Sequence, residues 1–133
     1  MKKGYKAAVA DVVQGKTDFR NVLYTGEMMQ LVAMTLKPGE EIGEEVHEGH
    51  DQFFRFENGT GQVVIDETTY DVVDDDMVIV PSGAKHNVIN TSETEPLELY
   101  TIYTPPEHRH DVTHATKAEA EADDEHFDGQ TTE

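Results

Sequence analysis

Residues 77–90 read MVIVPSGAKHNVIN. A run of apolar, β-favouring residues enters a Pro-Ser-Gly-Ala turn and leaves it as a second short strand, HNVIN. Side chains alternate across a strand, so His86, Val88 and Asn90 share one face. The same grammar extends in both directions. From Phe19 to Tyr103 the chain reads as short strands, RNVLYT, MQLVAMTL, EVH, QFFRFE, GQVVID, TTYDVV, MVIVP, HNVIN and LELYTIY. Between them lie KPGEEIG, ENGTG, VDDD, PSGAK and TSETEP, rich in the residues that turns require. Eight or nine strands at this spacing predict an all-β antiparallel sandwich or barrel, and no helix-period segment interrupts them.

The flanks read differently. Residues 1–24 form an N-terminal arm with weak signals, able to lend a strand to a neighbour. Residues 25–104 form the barrel. After Pro105 and Pro106 comes a His-rich loop, EHRHDVTH. TKAEAEADDEHF then predicts a short helix capped by Thr116 and Glu119, and DGQTTE a flexible acidic tail. His108, His110 and His114 are expected in a solvated loop; the alternative is that they fold over the barrel mouth.

Composition narrows the chemistry. The 133 residues suffice for one domain. There is no cysteine, which removes disulfides, Cys-based zinc sites and thiol catalysis, so a metal must use His, carboxylate or amide ligands. No apolar run is long enough for a membrane span and no leader pattern is evident, so a cytoplasmic protein is expected. The 28 acidic residues against 10 basic ones give a formal charge of −18. Such a field repels nucleic acid and anionic membranes, and neither is expected as a partner.

The stretch EEVHEGHDQFFRF, residues 44–56, carries the candidate chemistry. Glu45 and His47 are two apart and project together, as two ligands of one ion must. Gln52 shares its strand face with Phe54 and Phe56, which read as core, while Phe53 and Arg55 take the wetter side. An amide among inward aromatics has to be hydrogen-bonded or ligated, since an unmet buried polar group costs roughly 1–3 kcal/mol. His50 falls on the opposite parity and reads as a surface histidine. Arg55, Lys37 and Lys85 are the cations available to an anionic ligand group.

PGEEIGEEVHEGHDQFFRFENG followed by DDMVIVPSGAKHNVIN resembles the two motifs of the cupin superfamily. The first runs Gly-x5-His-x-His-x3–4-Glu-x6-Gly; here Gly39 opens it, Glu45 stands at the first His, His47 at the second, Gln52 at the Glu, and Gly59 closes it. The second runs Gly-x5-Pro-x-Gly-x2-His-x3-Asn and is matched by Pro81, Gly83, His86 and Asn90, with Asp75 in place of the first Gly. The chain is also similar to a small-cupin group labelled mannose-6-phosphate isomerase-like, through LYTGEMMQLVAMTLKPGEEIGEEVH, DQFFR, LYTIYTPPEH and TKAEA.

The resemblance implies a double-stranded β-helix, or jelly-roll, barrel with a metal in one mouth held by Glu45, His47, Gln52 and His86. One carboxylate is retained relative to the usual set, so the ligand charge is preserved. Two nitrogen and two oxygen donors suit Zn, Mn, Fe, Ni or Co and fit Cu(I) or Ca poorly. The expected function is action on a small polar, sugar- or acid-like substrate. The alternatives are an Fe-dependent dioxygenase and a metal-holding binding module without turnover. An isomerase version lacks an evident interior base once Glu45 is a ligand. A homodimer is expected, because sheet edges need covering.

The acidic surface also predicts a salt-adapted host, because screening over about 3 Å at 1 M salt quiets self-repulsion. Melting temperature should rise between low and molar KCl; a flat or falling trend contradicts salt adaptation.

Overall fold

Period-two alternation runs through most of the chain, and each run becomes a strand. The computed structural model, which describes residues 1–133, contains α1 (Val9–Val13), β1 (Arg20–Thr25), β2 (Gln30–Leu36), β3 (Glu45–Val46), β4 (Asp51–Asn58), β5 (Gly61–Ile65), β6 (Thr68–Val72), β7 (Met77–Val80), β8 (Lys85–Asn90), β9 (Leu97–Thr104), β10 (Thr113–His114) and α2 (Lys117–Ala122). All pairings are antiparallel. One sheet has the order β10-β1-β2-β9-β4-β7 and the other β3-β8-β5-β6. No helix is long and apolar enough to cross a membrane.

The inward residues of the two sheets meet in a core of Val32, Met34, Leu36, Phe54, Phe56, Val63, Val88, Leu97 and Leu99, joined by Val78, Val80 and others. Phe54 and Phe56 are core, as their parity predicts, and their rings stack at 6.3 Å. The same inward rows turn polar toward one end. Gln30, Tyr103 and Gln52 lie side by side across β2, β9 and β4. In the facing sheet, Glu45 pairs with His86. The barrel is thus apolar at one end and carries buried polar groups at the other.

Two motif positions show why their residues are tolerated. Gly59 has φ +108°, and a Cβ there would lie 2.5 Å from the Pro96 carbonyl oxygen, so no side chain fits. Asp75 stands where the motif has glycine and adopts φ 73°. Aspartate tolerates this left-handed conformation better than most residues, and its carboxylate pairs with Arg55 at 2.8 Å.

The flanks depart from expectation. The sheet begins at Arg20, before the expected boundary at residue 25, and β1 pairs with β2 and β10 of the same chain. The last part of the arm is therefore already used. α1 was not anticipated; it buries Val13. α2 forms where the capping box places it, with Glu119 N–H donating to Thr116 Oγ1 at 3.1 Å. The stretch that reads as a flexible tail lies along β1, where Thr25 N–H donates to Thr132 Oγ1 and Thr132 N–H to the Thr25 carbonyl, both at 2.8 Å. The Glu133 carboxylate adds to it, accepting from the Tyr24 hydroxyl at 2.8 Å and from Gly4 N–H at 3.0 Å; composition signals no such docking, because the partners lie at the other end of the chain.

Asn90, buried at the apolar end, ties two turns together. Its two amide hydrogens are shared among the carbonyls of Leu36, Lys37 and Glu95, each 2.9–3.1 Å from the nitrogen, and its oxygen accepts from Ser92 N–H. Asn90→Ala should cost about 2–3 kcal/mol by leaving these groups unpaired. Urea unfolding should show a lower midpoint with an unchanged m-value; an unchanged midpoint contradicts the role.

Candidate metal centre

Register delivers the first two donors. β3 lies against β8 with Glu45 opposite His86, so both enter the polar end together. His47 follows β3 directly, and Gln52 comes in from β4 on the facing sheet. One donor atom each from Glu45, His47 and His86 lies within 4.8 Å of the others. That span is close to twice a metal–ligand bond of about 2.1 Å. Gln52 Oε1 is 3.2 Å from His86 Nε2. The four residues named from sequence thus converge, three as a mutual cluster and Gln52 beside His86.

Hydrogen bonding fixes which atoms face inward. Thr101 has one hydroxyl proton and donates it to the Phe53 carbonyl at 2.9 Å. Its oxygen is left to accept from Gln52 Nε2, also at 2.9 Å. The amide is therefore oriented with Oε1 toward His86. His86 Nδ1 lies 3.0 Å from the Ala84 carbonyl, which can only accept, so Nδ1 carries a proton, and whenever the ring holds only that one its Nε2 is bare. Two lone pairs then face one another at 3.2 Å, with both residues about 95 % buried or more. That arrangement is repulsive unless a cation, metal or proton, serves both.

Glu45 and His47 supply the charge. His47 Nε2 lies 2.6 Å from Glu45 Oε2. Burial by itself lifts the Glu45 carboxyl and lowers the His47 ring. Their shared bond and opposite charges outweigh it, holding Glu45 below and His47 above their ordinary values. The other His47 nitrogen, Nδ1, faces Glu107 Oε1 at 3.8 Å.

Several wall residues escape a sequence reading. Gln30, fully buried, pins the segment after the double proline: it donates to the His108 carbonyl at 2.8 Å and accepts from the N–H groups of Glu107 and His108. Glu107 thereby reaches both His47 and His50. Tyr103 packs edge-on to His47, and burial followed by the Glu45 charge pushes its phenol upward. Gln30, Thr101 and Tyr103 had a usable signal: each is polar at inward parity in a row of Val, Met or Leu. Glu107 had none.

The histidine and cation expectations need correction. His108 and His114 are buried, not solvated, because the loop folds back over the mouth. His108 Nδ1 sits 2.7 Å from buried Glu125, and His114 bridges Arg20 and Asp123. His110 is half-buried with an unpartnered Nδ1. His50 is half-buried and contacts the Pro106 carbonyl. Arg55 and Lys85 point away, paired with Asp75 and Glu57 and with Glu44, and Lys37 is exposed. A cavity of about 290 Å³ opens beside the cluster, lined among others by Glu45, His47, Arg20, Glu107, His108 and Glu125.

Comparison with known proteins agrees with this architecture. A family model described as Cupin domain matches residues 32–103. The crystal structure of BH2720 from Bacillus halodurans superposes with a TM-score of 0.88 at 38 % identity, covering 91 % of this chain and 96 % of that one. YrkC of Bacillus subtilis is 46 % identical over 110 residues, and a protein of Acanthamoeba polyphaga mimivirus 41 % identical over 93. Those matches span 78 % and 68 % of this chain but only 59 % and 58 % of the two relatives, so the chain covers less than two thirds of either.

His108 gives the mouth a pH response. Burial, only partly opposed by Glu125, holds its ring below the ordinary imidazole value. The unfolded ring takes its proton near pH 6.5 and the folded ring only at lower pH. Stability from His108 is therefore complete above about 6.5 and falls as the pH drops below it. Because the raised His47 works in the opposite sense, the test is comparative: from about pH 7 toward about pH 5 the melting temperature of the natural protein should fall relative to that of His108→Gln; identical slopes contradict this.

Proposed function

The chain belongs to the cupin family, and from that premise we propose that Glu45, His47, Gln52 and His86 together hold one divalent transition-metal ion. The protein uses that ion on a small polar ligand entering the adjoining cavity. The observation that carries the reading is the pair of opposed acceptors, His86 Nε2 and Gln52 Oε1, locked in place by Ala84 and Thr101. A site built only for packing has no reason to aim two lone pairs at one point.

The donor set suits Zn, Mn, Fe, Ni or Co. When bound, such an ion supplies Lewis-acid polarisation of a ligand oxygen. The chain's own groups complete the arrangement. Thr101 keeps the Gln52 oxygen turned inward, and the Glu107 carboxylate faces Nδ1 on the far side of the His47 ring at 3.8 Å, an electrostatic contact. Glu107 and His108 also line the cavity, so acid–base groups are present beyond the ligand set. That supports turnover, including an isomerase-like version, more strongly than the sequence alone. Glu45, His47 and His86 form the two-His, one-carboxylate subset used by Fe(II) oxygenases, which makes oxygen chemistry the second reading. We take the molecule to be a homodimer joined through the β7 edge, where Met77 and Ile79 are 55 % and 57 % exposed.

Elemental analysis of protein purified without a metal-affinity step tests the reading. One equivalent of one of these metals is expected, chelation should lower the melting temperature, and re-addition should restore it. His86→Ala should abolish retention. Thr101→Val, which touches no ligand-bearing charge, should weaken metal affinity by about 10–100-fold by releasing the amide. Metal-free protein whose melting temperature ignores both chelator and added metal contradicts it.

A further inference from the structure

The chain has three arginines among 28 acidic residues. Arg55 pairs with Asp75 and Glu57, and Arg109 with Asp111 and Asp123. Arg20, only 7 % exposed, has no carboxylate oxygen within 4 Å of its guanidinium. Its Nε is buried without a partner, and its one side-chain hydrogen bond is a long donation from Nη1 to His114 Nδ1 at 3.4 Å. The head group otherwise lies 5.4 Å over the Phe19 ring. Burying a charge without a partner is costly, and a surplus of acids makes a partner easy to supply. Arg20 lines the same cavity as Glu45 and His47.

The guanidinium is nonetheless held in place. His114 accepts from it and, through Nε2, donates to Asp123 Oδ2 at 3.0 Å, so an Asp123–His114 pair positions Arg20 from behind. The strand that carries Arg20 lies outside residues 32–103, the segment matched by the family model.

We propose that Arg20 is the anchor for a single carboxylate on the ligand, whose neighbouring oxygen is bound at the Glu45, His47, Gln52 and His86 centre. The proposal thus rests on the metal reading and narrows it to small acids with an oxygen beside the carboxylate. A planar fork of N–H donors matches a carboxylate in two-point contact. The wall favours one negative charge over two, since Glu107, Glu121, Asp123, Asp124 and Glu125 also line the cavity and repel a phosphate dianion. Lys117, the other cation there, is engaged with Glu121 at 3.8 Å.

The test uses the full chain loaded with Co(II), whose visible spectrum reports on the ligand sphere. Glycolate is titrated against its uncharged counterpart glycolamide and against inorganic phosphate. Glycolate should perturb the spectrum and bind about tenfold or more tightly than either. Arg20→Met should bring glycolate down to the level of glycolamide with Co(II) stoichiometry unchanged, and Arg20→Lys should fall between. Arg20→Met should melt no lower than the natural protein, because it removes an unpaired buried charge. Equal binding of glycolate and glycolamide, phosphate binding tighter than glycolate, undiminished binding in Arg20→Met, or a lower melting temperature with loss of cobalt would each overturn the assignment. If the natural protein takes up no Co(II), the metal reading fails by itself. Acetate titration of metal-free protein then judges Arg20 alone: binding lost in Arg20→Met sustains the anchor, and no difference between the two proteins overturns it.

Discussion

The polar end of this barrel depends on one proton count. Thr101 has a single hydroxyl hydrogen and spends it on the Phe53 carbonyl, so the Gln52 amide can only present its nitrogen to Thr101 and its oxygen to His86. The Ala84 carbonyl takes the only N–H of a neutral His86 ring. With a single proton on His86 neither residue can donate to the other, and both are buried. A protein interior tolerates facing acceptors only where a proton or a metal ion joins them, and the metal proposal rests on that constraint.

The fold makes that arrangement affordable by separating two tasks along the same strands. Toward one end, inward Leu36, Leu97, Leu99 and Phe56 form a dry core, closed by Asn90 and its carbonyl partners. Toward the other, Gln30, Tyr103 and Gln52 face Glu45 and His86. The segment beyond the double proline then folds back over this polar end, held by Gln30. It brings Glu107 and His108, and further on His114 against Arg20. The first end supplies the apolar core, and the second carries the proposed site.

Much of this was legible in the sequence, for definable reasons. The nine strands from β1 to β9 were visible because period-two alternation and turn residues are local signals. Glu45, His47, Gln52 and His86 stood out because parity and motif spacing give their relative positions without any long-range information. The capping box of α2 is likewise local. What escaped depends on contacts between distant segments. Glu107, His108 and His114 lie at this end only because the chain after Pro106 returns to it, and a His-rich stretch in an acidic chain reads as solvated. Arg20 lacks a local signal for the same reason: nothing in the RNVLYT strand indicates that its arginine is buried without a carboxylate partner. The β10 pairing rests on backbone groups, which leave no side-chain signature, and the docking of Thr132 and Glu133 joins opposite ends of the chain.

The most direct test is a crystal structure of the purified protein with diffraction data collected above and below the absorption edge of the metal found in it. The account predicts an anomalous peak bonded to Glu45, His47, Gln52 and His86, with the Gln52 oxygen turned inward and Thr101 behind it. An ordered site with no anomalous signal, the Gln52 amide reversed or Glu45 directed outward would contradict it and leave only the fold.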